Sequence, residues 1–254
     1  MRALVFSDVH GELGGLRELV GRLTELECDL GLFCGDIVRG RARGAEFMAA
    51  RADGRAGDLG KPEIEAERGE DYALYAEFYA ILRPVPFRIY AVPGNMDAPE
   101  GRYIATGMGS EGSEAAVEIV HRSVARRGEW VFAGVGGEIT EADREEMLVL
   151  RLPRWEAEHS FRVYDCVEGS RIMVLHTPPV GEVVDRDGNK HKGSQVVNDL
   201  IHHWRPSLAV CGHAHDAAGS ELVGNTLVVN PGALKTGRFA VVDLEGRDVE
   251  LLEL

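Results

Sequence analysis

Gly212-His213-Ala214-His215 is the stretch from which the fold can be read outward. In an extended or tightly turned segment, imidazoles two residues apart can reach adjacent positions around a metal centre. The apolar run Ser207 to Cys211 before it reads as a buried strand. The same arrangement recurs upstream. Asp8-Val9-His10 follows Leu4-Val5-Phe6, Gly35-Asp36 follows Leu30 to Cys34, Gly94-Asn95-Met96-Asp97 follows Phe87 to Val92, and His176 follows Ile172 to Leu175. Between the first two lies Leu13 to Leu26, with Leu16, Leu19, Val20 and Leu23 at helical spacing. The chain therefore opens with a βαβ unit and belongs to the α/β class, with its chemistry at the carboxyl ends of strands.

Taken singly, Asp-x-His and Gly-Asp are the ordinary vocabulary of turns, because Asp accepts backbone hydrogen bonds and tolerates unusual dihedrals. Gly-His-x-His is more specific. The ordered set of Asp8, His10, Asp36, Asn95, His176, His213 and His215, all at strand ends, is hard to explain as unrelated polar residues. Oxygen and imidazole donors converging on one sheet edge are how two divalent cations are held together for phosphoryl chemistry. A carboxylate shared between the cations offsets part of their repulsion. A water bridging them loses its proton near neutral pH, and the hydroxide can attack phosphorus in line while both ions stabilise the developing charge.

The 254 residues and a 44% hydrophobic share suffice for one large domain. A formal charge of -14 repels polyanions, so a broad nucleic-acid face is excluded, whereas a small phosphorylated substrate at a metal centre is not. The apolar run at the N-terminus is too short for a signal peptide, and no stretch has the length of a transmembrane helix. Cys28, Cys34, Cys166 and Cys211 lack C-x-x-C spacing, lie in apolar contexts and read as buried free thiols in a reducing cytoplasm.

The region 39–70 is rich in Arg, Ala, Gly and Glu without periodicity, and reads as a partly helical, exposed insertion, mobile around Gly54 to Gly69. Tyr72 to Leu82 reads as a packed helix ended by Pro84 and Pro86. Val131 to Val135 is a further strand and 148–166 is ambiguous. Ser194 to Trp204 reads as a helix with Ser194 at its N-cap, and 221–254 as antiparallel strands with turns. Lys190-His191-Lys192 stands before that helix, so His191 and Lys192 are candidate contacts for a substrate phosphate. His121 reads as a residue in reach of the site only by chance of folding, His202 and His203 as an exposed pair, and His159 carries no signal.

From Asp8 to about Pro231 these motifs resemble the calcineurin-like metallophosphoesterases. Within them the chain is similar to the small prokaryotic Icc-related phosphoesterases in Val92-Pro93-Gly94-Asn95-Met96-Asp97-Ala98-Pro99, His176-Thr177-Pro178-Pro179 and Val229-Asn230-Pro231-Gly232. The resemblance implies a four-layer αββα sandwich with mixed sheets, spanning 1–254 as a single domain. It assigns Asp8, His10, Asp36 and His215 to one metal, Asp36 as the bridge, and Asn95, His176 and His213 to the second. It also implies catalytic parts for Asp36, Asn95, Asp97 and His213. The two divalent ions are expected to be Mn, with Fe, Ni, Co, Zn or Mg as alternatives.

Two departures bear on function. Many members of the family have His where this chain has Met96, followed by an acid that orients it; methionine transfers no proton, so a merely structural Asp97 is the alternative to a catalytic one. The stretch Gly35-Asp36-Ile37-Val38-Arg39-Gly40 also lacks a further Asp found in the phosphoprotein phosphatases. The expectation is a cytoplasmic, metal-dependent phosphodiesterase for small or cyclic nucleotide-like diesters. The alternatives are a small-metabolite phosphomonoesterase or a binding scaffold without turnover, and the oligomeric state, homo-oligomer included, is left open.

Overall fold

The computed structural model describes residues 1–110 and 116–254. The first half comprises β1 (Arg2–Phe6), α1 (Leu13–Gly21), α2 (Leu23–Leu26), β2 (Leu30–Phe33), α3 (Arg41–Asp53), α4 (Pro62–Leu82), β3 (Ile89–Ala91), α5 (Glu100–Ser110), β4 (Val117–Ile119) and β5 (Val124–Arg127). Next come β6 (Trp130–Val135), β7 (Glu138–Thr140), β8 (Arg151–Pro153), α6 (Arg154–Phe161), β9 (Ser170–Leu175), β10 (Arg186–Asp187) and β11 (Lys190–His191). The chain closes with α7 (Gln195–Trp204), β12 (Leu208–Val210), β13 (Gly219–Val223), β14 (Thr226–Asn230), β15 (Arg238–Asp243) and β16 (Val249–Glu253).

One six-stranded sheet has the order β16-β15-β1-β2-β3-β4 and the other the order β13-β14-β12-β9-β6-β5. Both are mixed, with β1 to β4 parallel in the first and β14, β12, β9 and β6 parallel in the second. The antiparallel strands expected near the C-terminus are the hairpins β13–β14 and β15–β16.

Alternation along the strands explains the layering. Leu4 and Phe6 of β1 pack outward with helix residues Leu16, Leu19, Tyr75 and Phe78, while Ala3 and Val5 face a separate core between the sheets. In β9, Ile172 and Val174 join that central core, and Met173 and Leu175 pack with Phe161, Val197, Leu200 and Trp204 of α6 and α7. Three apolar layers thus separate helix, sheet, sheet and helix, which is the expected four-layer αββα sandwich. Tyr90 stacks on Phe132 across the two sheets, with centroids 4.0 Å apart. Among the described residues no helix is long and apolar enough to cross a membrane.

Within the region 39–70, where 51–58 lies exposed, particular side chains depart from the expectation of exposure. The region is helical over α3 and the start of α4, and Arg43, Glu46 and Ile64 are buried. Arg43 pairs with Asp71 at 2.8 Å and with Glu67 at 3.4 Å, and Glu46 pairs with Arg55 at 2.6 Å. Charges that satisfy one another can be buried, so a composition typical of surface conceals a packed polar layer. The ambiguous segment resolves into β8, α6 and a short 3-10 turn, Arg162–Asp165. The helix read over Leu13 to Leu26 is broken at Arg22.

Candidate metal centre

The loops after β1, β2, β3, β9 and β12 all leave the same edge of the sandwich, and their backbone groups lock them together. Asp8 N donates to Gly35 O at 2.9 Å, His10 N to Asp36 O at 3.0 Å, and Gly212 N to His176 O at 2.9 Å. Asp8, His10, Asp36 and His213 all have positive φ, between 46° and 67°. Non-glycine residues held there cost roughly 1–3 kcal/mol each and persist only where the surroundings enforce them. The approach of the loops also dictates glycine. A Cβ on Gly94 would lie 2.0 Å from Asp36 Oδ1, and one on Gly35, whose φ is 97°, would lie 2.3 Å from Gly94 N.

Two sets of donors meet at Asp36. Asp8, His10, Asp36 and His215 present ligand atoms all within 4.8 Å of one another. On the other side, Asn95 Oδ1 lies 2.9 Å from His176 Nε2 and 3.2 Å from His213 Nδ1. Asp36 Oδ2 stands 3.5 Å from His10 Nε2 and 3.5 Å from His176 Nε2, so one oxygen faces both sets.

The donor chemistry fits cations. His10 Nδ1 donates to Val38 O at 3.2 Å and His176 Nδ1 to Cys34 O at 2.7 Å, which leaves each Nε2 of the neutral ring as a lone pair turned inward. His176 Nε2 and Asn95 Oδ1 then face each other as two acceptors. Asp8 Oδ1 is buried without a hydrogen-bond partner. These are the signs of a site arranged for positive charge.

The electrostatics agree. Burial opposes the charge of Asp8, but the neighbouring His10, His215 and His176 outweigh it and hold the carboxyl well below its usual range. Asp36 is pushed well above that range, first by burial and then by Asp97 and Asp8, with His10 acting in the opposite sense. Burial, with nearby His176, lowers His213 to about 3, which keeps its ring neutral and able to ligate.

Every expected ligand therefore reaches this edge. Asp97 does not meet the cavity. Fully buried, it accepts from Gly94 N at 2.7 Å, Asp36 N at 2.8 Å, Ile37 N at 3.0 Å and Tyr75 Oη at 3.2 Å. That environment suits a positioning residue, in place of the catalytic part expected for it. Lys192 lines the cavity, whereas His191 is exposed, pairs with Asp185 at 2.9 Å and is absent from the wall. Ser194 caps α7 without a side-chain hydrogen bond and sends its N–H to Pro178 O. His121 is buried away from the site between Glu100 and Gly136, and His159, His202 and His203 are exposed.

The cavity over the donors has a volume of about 370 Å³, with Glu12, Arg39, Arg41, Met96, Asp187 and Lys235 completing its wall. Sequence reasoning passed over Arg39, Arg41 and Lys235; the signal available was their nearness to Gly35-Asp36 and to Asn230-Pro231-Gly232. A larger groove of about 530 Å³ between α6 and α7, lined by Trp155, His159 and His203, shares none of these residues.

A family model described as metallophosphoesterase, calcineurin superfamily, matches residues 1–254, and the chain belongs to that family. A solved crystal structure with 30% identity superposes at a TM-score of 0.92, covering 99% of this chain and 98% of that one. TT1561 of Thermus thermophilus is 26% identical with a TM-score of 0.78, over 99% of this chain and 98% of that one. The uncharacterized protein MJ1162 of Methanocaldococcus jannaschii is 34% identical over 64 residues, 23% of this chain and 29% of its own length.

Proposed function

We propose that this chain is a dinuclear metal-dependent phosphodiesterase acting on small or cyclic nucleotide-like diesters. The carrying observation is the Asp36 carboxylate, whose Oδ2 faces the Asp8–His10–His215 set and the Asn95–His176–His213 set at equal distance. Asp8, His10, Asp36 and His215 would hold one divalent ion, and Asp36, Asn95, His176 and His213 the second, with Mn as the leading candidate. Bound there, the ions supply Lewis acidity and an activated water.

The protein's own part is to orient and to shield. Cys34 O and Val38 O fix the tautomers of His176 and His10, and Asp97 gathers the amides of the Asp36 and Gly94 loops. Arg39, Arg41, Lys192 and Lys235 give the mouth a positive lining suited to phosphate in an otherwise acidic chain. The preference for diesters follows from Met96, which occupies the wall where a proton donor to the leaving group would stand. Of the free cysteines, Cys34 and Cys211 are buried and raised by that burial to remain thiols, whereas Cys28 is half-buried and Cys166, against expectation, is exposed; four free thiols favour a reducing cytoplasm.

Elemental analysis after Mn²⁺ loading should find two ions per chain, and Asp36→Ala should lose both together with hydrolysis of bis-p-nitrophenyl phosphate. His202→Ala should retain both. A single ion at saturation, or equal losses at His202, would overturn the assignment.

A further inference from the structure

Among the described residues, two cations in the wall of the candidate site lack an acidic partner, in a chain with 42 acidic and 28 basic side chains. Arg39 is engaged, donating to His10 O at 3.2 Å and to Glu12 at 3.0 Å, and Lys192 Nζ lies 3.6 Å from Asp187. Among the described residues, Arg41 and Lys235 have no carboxylate at ion-pair distance. The Lys235 ammonium instead faces His215 Nδ1 at 2.9 Å.

The position of Lys235 is built in. Leu234 N donates to Ser7 O at 2.8 Å and Lys235 N to Asp8 O at 3.2 Å, so the turn Leu234–Thr236 is tied to the backbone that carries Asp8. A histidine that ligates a metal generally gives its other ring N–H to a carboxylate, a carbonyl or water. Here a lysine stands in that place. His215 Nε2 is the nitrogen turned toward the ligand set, 3.2 Å from Asp8 Oδ1 and 3.0 Å from His10 Nε2. With that nitrogen given to a cation, Nδ1 carries the hydrogen. An ammonium has only donors, so two donors would confront each other and Lys235 would need another acceptor. The open direction is the cavity. Its 370 Å³ falls in the size range of small-molecule sites and exceeds the needs of one phosphoryl group.

We propose that Lys235 and Arg41 form an anion subsite beside the metal centre, taking the second phosphoryl group of substrates that carry two linked phosphates. The proposal rests on the phosphoesterase reading above, which assigns the first phosphoryl group to the two donor sets. Arginine suits this task because its planar fork binds phosphate oxygens in pairs.

The test uses full-length protein loaded with stoichiometric Mn²⁺, its metal counted by elemental analysis, and calorimetric titration with inorganic phosphate and with methylenediphosphonate. Wild type should bind the diphosphonate at least about tenfold more tightly than phosphate, and Lys235→Met with Arg41→Met should shrink that ratio to about threefold or less, at unchanged metal content. Lys235→Arg should keep most of the preference, and a thermal melt of each variant checks folding. Equal binding of the two anions by wild type would overturn the subsite. So would a preference that survives in the double variant, since chelation by the ions alone would then explain it. Metal loss confined to the Lys235 variants would make the lysine a support of His215 and also overturn it. A wild type that takes up no metal brings down the phosphoesterase reading itself, and the subsite with it.

Discussion

At the scale of the residue, Met96 bears on which esters the proposed centre would favour. Asn95 Nδ2 donates to its sulfur at 3.3 Å, and its methyl end rests on the start of α3, where a Cβ on Gly40 would lie 2.6 Å from it. A thioether cannot protonate a leaving oxygen, so esters with good leaving groups and diesters, whose phosphorus is less shielded by charge, should react best. Selectivity should therefore favour bis-p-nitrophenyl phosphate over p-nitrophenyl phosphate. Met96→His should shift the ratio of the two kcat/KM values toward the monoester by roughly tenfold or more at equal metal occupancy, less than the roughly hundredfold or more that a well-placed general acid supplies. Asp97 is not free to orient the new imidazole, because its oxygens hold the amides of Asp36, Ile37 and Gly94. An unchanged ratio would mean that position 96 does not face the leaving group.

At the scale of the element, two buried polar clusters tie elements together, the first of them beside a loop that carries the site. Arg43 of α3 donates to Met96 O at 2.9 Å and to Asp71 of α4 at 2.8 Å, joining both helices to the Asn95 loop. The second cluster links the ends of β4 and β6 to α5. Gly136 N donates to His121 Nδ1 at 2.9 Å, and His121 Nε2 donates to Glu100 at 3.1 Å. Burial lowers the pKa of His121, since protonating it would break the Gly136 bond and place charge in the interior. Burial resists ionisation of Glu100, yet its bond with His121 and the nearby Arg144 prevail and bring it to about 2. The signs agree. As pH falls below 6.5, the ordinary value for a histidine, the unfolded chain binds a proton at His121 that the folded one resists, so stability falls; Glu100 adds a further loss below 4.5. His121→Gln should flatten the decline between about pH 6.5 and 5, by at most about 1.4 kcal/mol per pH unit, one proton's worth. Urea midpoints of wild type and variant across that range measure it, and parallel slopes would refute it.

At the scale of the whole molecule, the site concentrates the cost of an acidic chain. Asp8 and Asp36 are buried side by side, and Asp36 is pushed well above the usual carboxylate range. Cations binding only the folded state should relieve this. At a hundredfold excess over Kd, each bound Mn²⁺ should add about 2.7 kcal/mol, which for a chain of this length raises Tm by roughly 5–10 °C per ion. Differential scanning fluorimetry with and without Mn²⁺ reads the shift, and Asp36→Ala should abolish it. A shift of equal size in that variant would place the stabilising metal elsewhere.

The sequence by itself determined the α/β class, the strands that lead into Asp8, Asp36, Asn95, His176 and His213, and the family, because continuous apolar runs and the ligands that follow them are local patterns. It also exposed the absence of a proton donor at Met96. Tertiary structure alone decided what depends on approach between distant segments. Asp97 turned from a catalytic candidate into a clasp for backbone amides, and Arg43 and Glu46 left the surface because partners remote in the chain neutralise them. Lys235 came to stand beside His215, and His191 turned to Asp185 while Lys192 reached the cavity. A side chain's charge and hydrogen-bonding groups are written in its own residue, but whether they meet solvent, backbone or a ligand is set by what folds against them.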